Sequence, residues 1–118
     1  MIKTANIREK INDGLVIDIT VKNNKNHVLA PTWDIVLGLK NGRIGWNEYK
    51  RRYINLLYDR LEKRYDEFLN ILKIAEKKDI VLVCFCADER YCHRILAKEF
   101  LEKLKVVDRK DKKGGVCK

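Results

Sequence analysis

The stretch Asp79–Arg94, DIVLVCFCADERYCHR, constrains the fold more than any other part of this chain. Ile80 to Phe85 is an almost unbroken apolar run rich in β-branched residues. Such a run reads as a strand buried on both faces, the signature of an inner strand in a parallel sheet. A short polar loop, Ala87-Asp88-Glu89-Arg90-Tyr91, follows it. The chain then enters a helical pattern with Cys92, His93 and Arg94 in its first turn. Open α/β sheets keep their ligand sites where a strand's carboxyl end feeds a helix, so the site is expected here.

With 118 residues the chain suffices for one domain with a real core, but not for two. Residues 1–107 read as that domain. Residues 108–118, mostly charged and carrying two glycines, read as a basic flexible tail. No apolar run approaches the ~18 residues of a membrane span, and the first residues lack a signal-peptide core. A cytosolic location is therefore expected, and no membrane partner. In a reducing compartment the four cysteines read as free thiols or metal ligands rather than disulfides. Cys84 and Cys86, two apart on one strand, cannot bridge without distorting it.

The net charge of +9 suits a polyanionic partner such as nucleic acid or a nucleotide. A lysine- and glutamate-rich surface of the thermophile kind accounts for it as well. The basic residues are spread along the chain rather than clustered, which leaves both readings open.

Upstream, Ile2, Ile7 and Ile11 are too sparse to settle strand against helix over residues 1–13. Leu15 to Val21 is a clear strand, apolar except for Asp18. An acidic side chain there must be satisfied by hydrogen bonds or lie near the strand end. Residues 22–27, KNNKNH, read as a polar turn, with His27 a solvated loop residue. After Pro31, Thr32 is a suitable N-cap for a helix from Trp33 to about Lys40, ending at Asn41-Gly42. From Trp46 to Lys77, apolar residues recur at steps of three and four. This predicts one long helix, or two with a break near Glu62–Lys63. Its aromatic stripe reads as core, and Lys50-Arg51-Arg52 as a charged face. His93 to Leu104 predicts a helix packed on the sheet, and Lys105-Val106-Val107 a last short strand.

A thiol in a helix first turn gains from the free N–H groups there, and Arg90, His93 and Arg94 add cationic neighbours. Cys92 and His93 are thus candidates for nucleophile or acid–base group, and Asp88 and Glu89 for general acid or base. Arg94 and Arg90, with the first-turn amides, form a candidate anion pocket. Asp18, Thr32 and Cys86 are candidate ligand contacts from the neighbouring segments. No glycine-rich phosphate loop is present, and the Cys86–Cys92 spacing is not the loop of cysteine phosphatases. Zinc is a further alternative, with Cys84, Cys86, Cys92 and His93 as donors, although no Cys-x2-Cys knuckle occurs.

At these residues the sequence resembles the family called domain of unknown function 488, in the short form common in phages and other prokaryotic mobile elements. The resemblance rests on Cys84 and on Cys92-His93-Arg94 opening a helix. Weaker matches continue through Asp18 to Lys22, Ala30 to Trp33, and Trp46 to Tyr53. It implies an α/β sandwich whose three blocks converge on one cleft, and no particular reaction or cofactor. Cys86 stands where many members carry an acidic residue, and Thr20 where many carry an arginine.

The expected fold is a single three-layer α/β domain, with a small, mostly parallel sheet built on residues 15–21 and 80–86 and helices on its faces. The expected function is an enzyme acting on an anionic, phosphorylated or nucleotide-like small molecule through the Cys-His-Arg site. The alternatives are a small basic nucleic-acid-associated or regulatory protein, using helix 46–64, and a zinc-stabilised interaction module.

Overall fold

The computed structural model describes residues 1–6, 8–11, 13–84 and 92–114, the last eight of these in their backbone only. Three parallel strands form one sheet in the order β1-β3-β2: β1 (Ile2–Asn6), β2 (Leu15–Asp18) and β3 (Ile80–Cys84). Every residue of β3 is buried, as its apolar sequence requires of a strand with a neighbour on each edge. In register, Ile2 and Leu15 flank Ile80, while Ala5 and Asp18 flank Val83. The small parallel sheet of an α/β domain is therefore what forms. It also has a strand, β1, in the region the sequence left unsettled.

The two faces of the sheet are covered differently. Ile2, Ile17, Ile80 and Leu82 face the main core, together with residues from α2 (Trp33–Lys40), α3 (Trp46–Lys63), α4 (Tyr65–Lys77) and α5 (His93–Gly114). Ala5, Val81 and Val83 point the other way and, among the described residues, pack against Ile11. Ile11 belongs to the connection that carries the chain from β1 past β3 to β2. That connection covers residues 7–14, a reach of roughly 26 Å when extended, too little to cross a strand and also form a helix. It closes at Gly14, whose φ is +93° and whose missing Cβ would lie 3.0 Å from the Asp79 carbonyl. The Leu15 N–H then donates to that same carbonyl at 2.8 Å. Only glycine meets both demands.

The periodic segment divides at Arg64, between α3 and α4, and its aromatic stripe is core. Tyr49, Tyr53, Leu57 and Phe68 are buried, and the Tyr53 hydroxyl donates to the Leu29 carbonyl at 2.5 Å. Helix α2 has the expected bounds, with Thr32 at its N-cap and Gly42 turning the chain out at φ +75°. Three local expectations fail. The strand read from Leu15 to Val21 stops at Asp18, and Val21–Asn24 forms a one-turn helix, α1. Its start is fixed by the Thr20 hydroxyl, which accepts from the Asn23 N–H at 3.1 Å. Lys105 to Val107 is not a strand; α5 continues through it to Gly114, the i, i+3, i+4 pattern of α5 overriding a short β-branched pair. His27 is half-buried rather than solvated, and its Nδ1 accepts from the Leu29 N–H at 3.0 Å.

One side chain ties the segment before α2 to the helical layer. Arg60 Nη1, from α3, donates to the carbonyls of His27 at 3.1 Å, Val28 at 2.9 Å and Ala30. The His27 carbonyl also accepts from the Ala30 N–H at 3.1 Å. Those of Val28 and Ala30 have no strand or helix to pair with, so for them the guanidinium takes the place of a missing ladder. Replacing it strands partly buried acceptors, at a cost of about 1–3 kcal/mol. Arg60→Met is therefore expected to lower unfolding stability by that amount, read as a shifted urea midpoint with an unchanged slope. A midpoint equal to wild type would mean that water satisfies these carbonyls equally well.

Candidate active site

The carboxyl ends of β2 and β3 and the start of α5 meet at one end of the sheet. Asp18, the last residue of β2, is half-buried and fully engaged locally. Its carboxylate accepts from the Thr20 N–H at 2.9 Å, the Thr20 hydroxyl at 2.7 Å and Asn23 Nδ2 at 3.0 Å. Burial alone would raise its pKa, but the bonds from Thr20 and Asn23 outweigh burial and hold it below the usual 3.8. Asp18 thus builds the turn into α1. The ladder runs one residue beyond β2, with the Ile19 N–H on the Val83 carbonyl at 3.1 Å.

The Ile19 carbonyl holds His93, the first residue of α5, through Nε2 at 2.9 Å. A carbonyl only accepts, so Nε2 carries the proton and the lone pair of the neutral ring sits on Nδ1. His93 is 5% exposed, and its edge meets Tyr53 at a centroid distance of 5.6 Å. Burial, foremost, and the neighbouring Arg94 push its pKa below 6.5 against the opposing pull of Cys84 and Asp18, so the ring is neutral at pH 7.

Behind His93 lie three buried groups. Cys84 closes β3, Cys92 immediately precedes α5, and their sulfurs stand 2.7 Å apart, both free of a disulfide. Arg94, 1% exposed, directs Nη1 at Cys84 Sγ at 3.3 Å and Cys92 Sγ at 3.7 Å. A cation at that distance favours thiolate over thiol. The ligand atoms of Cys84, Cys92 and His93 all lie within 4.8 Å of one another, a set of soft donors. Two thiolates on one tetrahedral zinc would sit roughly 3.8 Å apart, given Zn–S bonds of ~2.3 Å. The observed sulfurs are closer, and a guanidinium already faces them. The geometry is that of two closely apposed sulfurs, nearer than two zinc-bound thiolates and farther than a disulfide at ~2.05 Å, beside a cation.

His93 also forms part of the wall of an open cleft of about 430 Å³. Thr20, Val21, Pro31 and Val36 line it, with Trp33 at the mouth and Lys22 and Lys40 on the rim. Trp33 is 46% exposed, unusual for so large an apolar ring. Trp33, Val36 and Lys40 occur at steps of three and four along α2, which places them on one face. That spacing was available in the sequence and is the signal that marks these residues.

Once this geometry is known, comparison with known proteins places the chain. Residues 9–105 match the family model described as the Active DUF488-N3 subclade. The chain belongs to the DUF488 family. No curated protein and no solved structure matches it.

Within this DUF488 domain the candidate residues fall into four groups. His93 borders the cleft, while Cys92 and Arg94 lie buried behind it with Cys84. Asp18 organises the turn that supplies Thr20 and Lys22. Thr32 borders a different depression, with Arg52 and Asn55, and its hydroxyl donates to Asp34. Cys86, Asp88, Glu89 and Arg90 lie outside the described residues. On α3, Arg51 and Arg52 both bind Glu48, at 2.5 Å and 2.6 Å, and hold its carboxyl down at about 2. Lys63 pairs with Asp59, and Arg64 with Glu67. Much of the positive charge of α3 is thus met by carboxylates of its own or the next helix.

Both histidines have pKa values lowered by burial, His27 also by Arg64 and Arg60. At pH values just below 6.5 the unfolded chain therefore binds protons that the folded chain does not. Their contribution is complete above that value and is lost as pH falls through the folded pKa values. Stability against urea is expected to decline as pH falls below 6.5. The His27→Gln, His93→Gln double variant should flatten that decline; an unchanged slope would assign it to other groups.

Proposed function

We propose that this DUF488 protein is an enzyme acting on a phosphorylated, nucleotide-like small molecule held in the cleft beside His93. The observation that carries the reading is the composition of that cleft. A neutral, hydrogen-bonded imidazole lies in its wall, an exposed tryptophan at its mouth, and two lysines on its rim. A volume of about 430 Å³ falls within the range of small-molecule sites, generally ~300–1,000 Å³. Trp33 offers a flat face to a base, and Lys22 and Lys40 offer charge to a phosphate.

His93 is the acid–base group in this reading. With Nε2–H fixed on the Ile19 carbonyl, Nδ1 is the atom that takes a proton, and the lowered pKa keeps it unprotonated at neutral pH. Cys92 and Arg94 are positioning groups here, since both are buried behind the ring. The description of the matching subclade as active accords with an enzyme.

The test is titration with nucleoside 5′-monophosphates and the corresponding nucleosides, followed by tryptophan fluorescence and calorimetry. Nucleotide binding should quench Trp33. Trp33→Ala should weaken it by about tenfold, the loss of one stacked base at ~1–3 kcal/mol. Lys40→Ala should weaken the nucleotide and leave the nucleoside unchanged. If nucleotide and nucleoside bind alike, or neither binds, the cleft is not an anion site of this kind.

A further inference from the structure

We infer that Cys84 and Cys92 are a redox-active dithiol, oxidised to an intramolecular disulfide by hydrogen peroxide and reopened by a small dithiol. This does not depend on the nucleotide reading of the cleft. Three observations carry it. The sulfurs lie 2.7 Å apart, brought together from a strand end and a helix start. Arg94 faces both sulfurs and lies nearer Cys84, which favours Cys84 over Cys92 as the attacking thiolate of the pair. Finally, both cysteines are buried, yet His93, within ligand distance of both sulfurs, also borders the open cleft. The pair is one side chain away from solvent. A water-sized oxidant suits that depth; a bulky disulfide does not.

The steps balance. The Cys84 thiolate attacks one oxygen of hydrogen peroxide, the O–O bond breaks, and hydroxide leaves and takes a proton to become water. Cys84 is now a sulfenic acid, oxidised by two electrons. Cys92 loses its proton and attacks that sulfur; the S–S bond forms, the S–O bond breaks, and a second water leaves. Two thiols and one peroxide give one disulfide and two waters. Among the described residues, the charged and titratable groups facing the pair are Arg94, His93, Tyr53 and Asp18.

The experiment uses the full chain carrying Cys86→Ser and Cys117→Ser, so that only the two sulfurs in question remain. Peroxide should remove both thiols and join tryptic peptide 79–90 to peptide 91–94, with dithiothreitol restoring them. Cys92→Ser in this background should stop at a sulfenic acid on Cys84, trapped by a dione reagent. Arg94→Gln should slow oxidation about tenfold near neutral pH and move the rate–pH profile upward by about one unit. Should Arg94→Gln fail to fold, the peptide cross-link in the Cys86→Ser, Cys117→Ser chain decides alone. Three results would overturn the inference: thiols that stay alkylatable after peroxide, oxidation only between chains, or stoichiometric zinc that protects the sulfurs until a chelator is added.

Discussion

The position of β3 in the middle of the sheet determines most of what surrounds it. A five-residue strand buried on every side chain can satisfy its backbone only by pairing on both edges. Both neighbours are parallel, so the chain must cross the sheet twice to reach them. One crossing is the short connection bearing Ile11, which among the described residues packs against buried Ala5, Val81 and Val83. The other carries α1 to α4 and builds the main core. The parallel arrangement also brings the ends of β2 and β3 together. There Ile19, Cys84 and the start of α5 come within hydrogen-bonding distance of one another's side chains.

How much of this was legible in the sequence varies with the length and purity of each pattern. Strand β3 and the helices from Trp33 onward follow from long, regular apolar spacing, and the break at Arg64 fell within two residues of expectation. Strand β1, by contrast, is an edge whose only buried residues are Ile2 and Ala5, three apart rather than alternating. Such a spacing favours neither period. Helix α1 is a single turn nucleated by Thr20 and Asp18 side chains, a local hydrogen-bond effect that hydrophobic periodicity does not register.

The candidate site divides along the same line. The Cys-His-Arg block was visible because its residues are neighbours in sequence. The cleft was not, because its lining comes from three separate segments: Thr20 to Lys22, Pro31 to Lys40, and His93. Thr32 illustrates the limit. It was the natural polar choice in its segment, yet its hydroxyl turns to Asp34, and its neighbours Pro31 and Trp33 line the cleft instead. One position along the chain decides which side of a helix start a side chain serves.

Arg94 shows why the two parts of this end of the fold belong together. A fully buried guanidinium needs negative charge nearby, because desolvating it costs several kcal/mol. A carboxylate would meet that need at any neutral pH. Among the described residues it is Cys84 and Cys92 that face Arg94, and a sulfur contributes negative charge only as a thiolate. On the proposed dithiol chemistry, part of the balance at Arg94 therefore follows the state of that pair. His93 stands between these sulfurs and the cleft, tied to the Ile19 carbonyl on one side and feeling the charges of Cys84 and Arg94 on the other. A loss of thiolate charge would remove an attraction that favours the imidazolium and leave the repulsion from Arg94 unopposed by sulfur. On the proposed dithiol chemistry, the proton affinity of the ring in the cleft is set partly by the state of the sulfurs behind it.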